Sequence, residues 1–336
     1  MFTPVETSIG ALLIQFATTS YMLQVGRAVG FSSILYNSIT KPNVYDLSIA
    51  IGLLSSAYIV KLIFPEFIPL YNQYINIKWY IVSGLLVGIG TQFGCGCTSG
   101  HVIAGLSRLR KRSIIATIFL FATAMLVVNY FKLGENCYNL GKLDYCIKYD
   151  KFFIKFYKNR KILVELLMSS FLLTYFILPF ITKKLNKFGN GGLINKFLII
   201  INGLYSGCLF GLGLAISGMS SPSKTIGFLA IFQQKKFDPS LSLIILFTVI
   251  PNYFVWKFKI FNKNNKPILN QSFSLNKSNQ IPKKFILGNI LFGLGWGIMG
   301  ICPGPGLMGV IFNGNNGLAW FINFILGYFF AKCICI

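Results

Sequence analysis

Nine apolar stretches run through this chain, near residues 8–24, 47–64, 79–95, 113–131, 162–181, 193–213, 239–256, 285–301 and 316–335. A helix needs roughly 20 apolar residues to cross a ~30 Å hydrocarbon layer, so each stretch is a candidate span. With 54% hydrophobic and only 12% charged residues, the composition falls outside the soluble globular class. Within lipid every backbone polar group needs an internal partner, and runs this long satisfy that need as helices. The expected class is an all-α polytopic membrane protein. The first run lacks a basic start and a small-residue cleavage site and is read as a span rather than a cleaved signal.

A glycine-and-sulfur phrase recurs inside these runs. Its clearest copies are Gly88-Ile-Gly90 leading to Cys97-Thr98-Ser99-Gly100-His101, and Gly293-Leu-Gly295 leading to Cys302-Pro303-Gly304-Pro305. A third, Gly211-Leu-Gly213 leading to Ser217-Gly218-Met219-Ser220-Ser221-Pro222, places serine where the others place cysteine. A fainter fourth, Gly26-Arg27 to Gly30-Phe31-Ser32-Ser33, opens the chain. After Cys97 the segment to Leu109 is too short to cross: about 11 helical residues rise only ~16 Å. A short helix starting at membrane depth after a glycine-rich break is tolerated only where protein or a water-filled cavity satisfies its loose backbone groups. Ser, Thr and Pro at the breaks suit helix starts. Free N–H groups at such starts favour anions. Almost no Lys or Arg is expected there; Arg27, the one basic neighbour, either lines a vestibule or snorkels to the interface.

The order span, short segment, span, span, short segment, span occupies residues 1–132 and returns over 193–336. Residues 133–192 supply a connecting loop and one linking span. An odd span between the halves inverts the second, the topology of many secondary transporters. The expected architecture is therefore about nine transmembrane helices plus four short re-entrant half-helices in two inverted-topology repeats. Cys97 and Cys302 then approach the midplane from opposite sides.

Charge sets the expected orientation. Net charge is +23, from 31 Lys and Arg against 8 Asp and Glu, and no recognition helix or soluble basic domain is present to bind nucleic acid. Loops on the side of Arg108, Arg110, Lys111 and Arg112 carry the larger share of Lys and Arg, which places the N-terminus outside and the C-terminus in the cytoplasm, in the cell membrane. Cys137 and Cys146 fall in an outer loop where a disulfide could form. No buried acidic relay stands out; Asp46, Glu165 and Asp238 lie near predicted span ends.

The stretch Gly94-Cys95-Gly96-Cys97-Thr98-Ser99-Gly100-His101 running into Gly105-Leu-Ser-Arg108 resembles the YeeE/YedE membrane family of sulfur-compound transporters. So do Gly26-Arg27 to Ser33, Ser217 to Leu229, and Gly300 to Pro305. The resemblance implies inverted halves with short helices dipping toward the centre, and uptake of thiosulfate. It implies too that Cys97 and Cys302 line the route and hand the anion along by weak S–H hydrogen bonds. A thiol is a neutral, polarizable, weak donor, suited to a soft terminal sulfur that must later be released. The family can carry a further cysteine in the first short segment, where this chain has Val29, Phe31 and Ser32; Cys95 and Cys208 lie near other breaks. The expected path residues are thus Cys97, Cys302, Cys95, Cys208, Thr98, Ser99, His101, Ser32, Met219, Ser220 and Pro303.

Other readings follow from the same residues. Gly84, Gly88, Gly90, Gly94, Gly96 and Gly100 can be a helix-packing face, and Cys208 a small buried apolar side chain. His101 with Cys95 and Cys97 falls short of a closed zinc or copper site, which draws three or four ligands from more than one element. No metal or cofactor is expected. A membrane thiol-redox or sulfurtransferase enzyme using Cys97 and Cys302 is the alternative, but no Cys-x-x-Cys or catalytic base supports it, and the chain is expected not to be an enzyme. A cytoplasmic sulfurtransferase is a conceivable partner beside the sulfur oxyanion and the lipid.

Overall fold

The computed structural model describes residues 3–69, 71, 75–133, 149–188, 192–233, 236–261, 265–275 and 278–334, with only the backbone described over 149–160 and at 188. Cys137, Cys146 and Cys335 lie outside the described residues. Thirteen helical stretches of eight residues or more are present among the described residues. They are α1 (Pro4–Val25), α2 (Phe31–Thr40), α3 (Val44–Ile63), α4 (Ile77–Phe93), α5 (Ser99–Leu106), α6 (Lys111–Tyr130), α7 (149–188), α8 (Gly192–Ser217), α9 (Pro222–Leu229), α10 (Pro239–Ile260), α11 (Lys283–Met299), α12 (Pro303–Phe312) and α13 (Gly314–Cys333). The short ones are α2, α5, α9 and α12, and α5 is wound with the wide π pitch.

Length and apolarity suffice for membrane crossing in six stretches: Val44–Ile63, Lys111–Tyr130, Lys161–Lys187, Gly192–Ser217, Pro239–Ile260 and Lys283–Phe312. The chain is an all-helical polytopic membrane protein. The expected runs 8–24, 79–95 and 316–335 stand apart from these six for visible reasons. α1 is interrupted by Gln15, Thr18, Thr19, Ser20 and Gln24, all buried; α4 has 17 residues; α13 carries Asn315, Asn316 and Asn323.

Those polar residues of α1 form a belt with its neighbours. Gln15 Nε2 donates to Tyr175 OH of α7 at 2.9 Å, and Thr19 Oγ1 donates to Asn252 Oδ1 of α10 at 3.0 Å. Asn252 Nδ2 donates to Thr18 Oγ1 at 3.0 Å, and Thr182 Oγ1 to Gln24 Oε1 at 2.7 Å. Each group has a partner, which is what makes polar side chains tolerable at this depth.

The main helix pairs are α3 with α8, α1 with α8, α4 with α13, α4 with α11, and α6 with α11. Small residues set their separation. A Cβ on Gly207 would sit 2.1 Å from Ile49 O, and one on Gly88 2.2 Å from Phe324 O. Gly84 and Gly90 likewise abut neighbouring backbone and Gly94 abuts the Asn289 side chain of α11, whereas Gly96 faces the His101 ring and Gly100 faces open space. The packing role thus holds for four of that run of six glycines.

Candidate functional site

Each long helix that precedes a short one ends in left-handed backbone, at Gly26 (φ 77°), Cys95 (φ 53°), Gly218 (φ 75°) and Gly300 (φ 68°). Glycine takes this conformation without steric cost, and the chain turns there into the next helix start. The short helices begin at Phe31, Ser99, Pro222 and Pro303, capped by Gly30, Thr98, Ser221 and Cys302.

These starts meet. Thr98 Oγ1 donates to Cys302 Sγ at 3.3 Å, joining the α5 start to the α12 start across 204 residues of sequence. Cys97 Sγ and Ser99 Oγ are 3.1 Å apart, and Ser99 Oγ accepts from Phe31 N at 3.1 Å, which ties in the α2 start. The α9 start closes on the same place from another side: a Cβ on Gly300 would lie 2.6 Å from Pro222 O. Cys97 and Cys302 are buried. A cavity of about 390 Å³ adjoins Cys302, lined also by Thr98, Met219, Thr225 and Trp296 among others. Its wall is chiefly apolar, with Phe121, Phe228 and Ile244.

The donors at these starts differ. An α-helix leaves its first N–H groups without intrahelical acceptors. At α12 the residues Pro303 and Pro305 have no N–H, so the backbone there offers chiefly Gly304, and the Cys302 thiol is the flexible donor at that lip. At α2 the leading N–H is taken by Ser99.

The remaining expected residues are dispersed. Ser32 is buried next to Phe31, Pro303 follows Cys302 directly, and Met219 faces the cavity. Ser220 is buried with an unpartnered Oγ. Cys95 is exposed, its thiol toward Phe93 O at 3.7 Å. Cys208 sits on α8, its backbone N against Gly52 of α3, and is half-buried. His101 Nε2 donates to Gly94 O at 2.8 Å, and Nδ1 accepts from Ser113 Oγ at 3.4 Å. Of the two roles open to it, it takes carbonyl bonding and staples α5 to α4 and α6. Arg27 pairs with Asp46 at 3.8 Å and lies over the Tyr45 ring at 4.0 Å, which settles it on α3.

Two features run against the sequence reading. Lys224, at the α9 start, is 5% exposed; its Nζ donates to Thr3 Oγ1, to Thr7 Oγ1 at 2.9 Å and to Ser217 O at 3.0 Å. A basic side chain therefore is buried beside a break, holding α9 to α1 and to the last carbonyl of α8, Ser217 O. Its position two residues after Pro222, in the first turn of a short helix that follows an apolar run, was the available signal. Glu6, Asp46 and Asp238 are buried as well; helix-end positions here are covered by loops and neighbouring helices rather than open to solvent.

Residues 6–126 match the family described as sulphur transport, and residues 198–334 match a family of unknown function, DUF6691. A probable transporter of Xylella fastidiosa strain 9a5c is 34% identical over 123 residues, covering 36% of this chain and 90% of that protein. Its counterpart in strain Temecula1 is 33% identical over 123 residues, with the same coverage. Another probable transporter of strain 9a5c is 34% identical over 107 residues, 31% of this chain and 69% of that protein. The chain belongs to the YeeE/YedE-type sulphur-transport family.

Proposed function

We propose that this protein is a permease for a small sulfur-containing anion, thiosulfate, which passes between Cys97 and Cys302 at the junction of two inverted halves. The observation that carries the reading is the Thr98–Cys302 hydrogen bond at 3.3 Å, beside the Cys97–Ser99 contact at 3.1 Å. Two thiols and two hydroxyls meet at one constriction. Hydroxyls donate to sulfonate-like oxygens, and thiols contact a terminal sulfur without holding it tightly. A channel-like route needs such weak, successive sites to let its ligand leave.

The two-half architecture has its own support. Long and short helices follow the same order before and after α7. The two family matches lie on either side of α7, over 6–126 and 198–334. In this reading the nine long helices cross the membrane, α2, α5, α9 and α12 are half-helices reaching its centre, and α7 links residues 1–132 to 193–336. Excess positive charge places Arg108–Arg112 and the C-terminus in the cytoplasm and the N-terminus outside the cell membrane.

The test is uptake of labelled thiosulfate into proteoliposomes holding the full chain, with sulfate, sulfite and selenite as competitors. Cys97→Ala and Cys302→Ala are expected to lose uptake while remaining folded and inserted, and Cys208→Ala to retain it. Normal uptake by both of the first two variants would overturn the cysteine path.

A further inference from the structure

The N-terminus of α6 is electrostatically frustrated. Arg110, Lys111 and Arg112 stand at its cap and first turn, where the helix dipole is already positive and acidic residues are favoured. Arg108 joins them from the end of α5, its Nε donating to Ala104 O at 2.9 Å and its guanidinium 5.0 Å from the Trp256 ring centroid. Among the described residues the ion pairs are Arg27–Asp46 and Lys161–Glu165, so neither Arg108 nor Arg112 has an acidic partner.

Arg112 is the most telling member. It is 7% exposed, its guanidinium lies 4.4 Å from the Phe285 ring centroid, and its Nη1 makes a long hydrogen bond to Ser278 Oγ at 3.4 Å. Its Nε is buried and unpartnered. A permanently charged group held at this depth, with donors unused and like charges around it, is set for an anion. An orientation-setting cluster needs only to lie at the membrane surface and would not bury one of its members.

The cluster also borders the cysteine turn. Phe285, under Arg112, packs edge-on against His101, whose ring anchors Gly94 just before Cys95. Burial, together with the positive charge of Arg112, lowers the Arg110 pKa. α5 thus has the Cys97–Thr98 pair at its start and the arginines past its end, with its eight residues between them.

We infer that Arg108, Arg110 and Arg112 form a tetrahedral-oxyanion site, with exposed Cys95 at its edge, where the transported anion is held on its way to or from the Cys97–Cys302 seam. This rests on the permease reading. A lipid phosphate offers the same oxygens, and the experiment separates the two sources.

Full-length protein in phosphatidylcholine nanodiscs is titrated calorimetrically with sodium thiosulfate and with sodium sulfate. The wild type, Arg112→Lys and Arg108→Gln are compared, each first checked for a monodisperse, folded peak. Uptake is measured in phosphatidylcholine vesicles over a range of ionic strength. Arg112→Lys keeps the charge and loses the planar fork; it is expected to weaken anion binding and raise KM about tenfold, with the maximal rate within twofold. Arg108→Gln is expected to flatten the salt dependence of kcat/KM. Unchanged binding and KM in both folded variants would overturn the site. So would wild-type protein that binds no anion in phosphatidylcholine yet retains phosphatidylglycerol through Arg112, since the ligand is then lipid. If wild-type vesicles take up no sulfur anion, the permease reading fails, while the titration still decides whether the arginines bind an oxyanion.

Discussion

Replacing Gly300 with alanine tests whether the seam depends on the fit of the helix starts around it. Gly300 has φ 68°, a conformation that costs a non-glycine residue about 1–2 kcal/mol. The new Cβ would stand 2.6 Å from Pro222 O and 3.1 Å from Ile226 Cγ1, against an ordinary contact of 3.4 Å or more. The α9 start must then retreat by the difference, 3.4 − 2.6, or about 0.8 Å. Overpacking of this kind costs about 1–3 kcal/mol, and the stiffer unfolded chain returns about 0.4–1 kcal/mol. The net loss is roughly 1–4 kcal/mol, or a melting temperature lower by ~2–8 °C at this chain size. The displaced wall borders Cys302, and misplacement near 1 Å can cost about 100-fold in a positioned site, so uptake should fall about tenfold or more. Gly100→Ala is the matched control. Gly100 is next to the same seam, but its Cβ would meet nothing within 4 Å, and alanine in a helix gains roughly 0.5–1 kcal/mol over glycine. Thermal size-exclusion chromatography and proteoliposome uptake read both variants. Equal melting shifts, or Gly300→Ala with wild-type uptake, would refute the reasoning.

Three further outcomes follow from the packing. His101→Ala leaves the buried Gly94 carbonyl without its 2.8 Å donor and removes the ring set against Phe285; a loss of about 2–4 kcal/mol is expected by thermal melting, partly restored by His101→Gln. Lys224→Met strips the donor from Thr7 Oγ1 and Ser217 O and should lower the melting temperature by the equivalent of about 1–3 kcal/mol; an unchanged melt would mean that α9 is anchored elsewhere. Gly207→Ala forces α8 off Ile49 O, now 2.1 Å from the Cβ position, with about 1–3 kcal/mol lost, read in the same way.

The class of this fold was legible because lipid demands long apolar helices, and the breaks because few residues other than glycine turn left-handed cheaply. Gly26, Gly218 and Gly300 stand out in sequence for that reason, and Cys302 is legible through its register with Cys97. What the sequence hid depends on partners remote along the chain. The belt around α1 needs Tyr175 and Asn252 to make Gln15, Thr18 and Thr19 tolerable, and nothing local in 4–25 announces them. His101 reads as a path residue by its place in the motif, yet the turn at Cys95 and Gly96 swings Gly94 O into its reach. The burial of Lys224 needs Thr3 and Thr7 from the other end of the chain.

The Thr98–Cys302 contact has a consequence for the membrane around it. Continuous files of water conduct protons, and a permease that held one at rest would drain the cell's gradient. On the permease reading, Thr98 Oγ1 and Cys302 Sγ touch directly at 3.3 Å, which leaves no room for a water between those two atoms. A passing oxyanion brings acceptors of its own, so it can take Thr98 from Cys302 while the opening it makes is filled by itself. Cargo and stopper would then compete for the same hydrogen bond, and insulation of the resting membrane would require no separate gate.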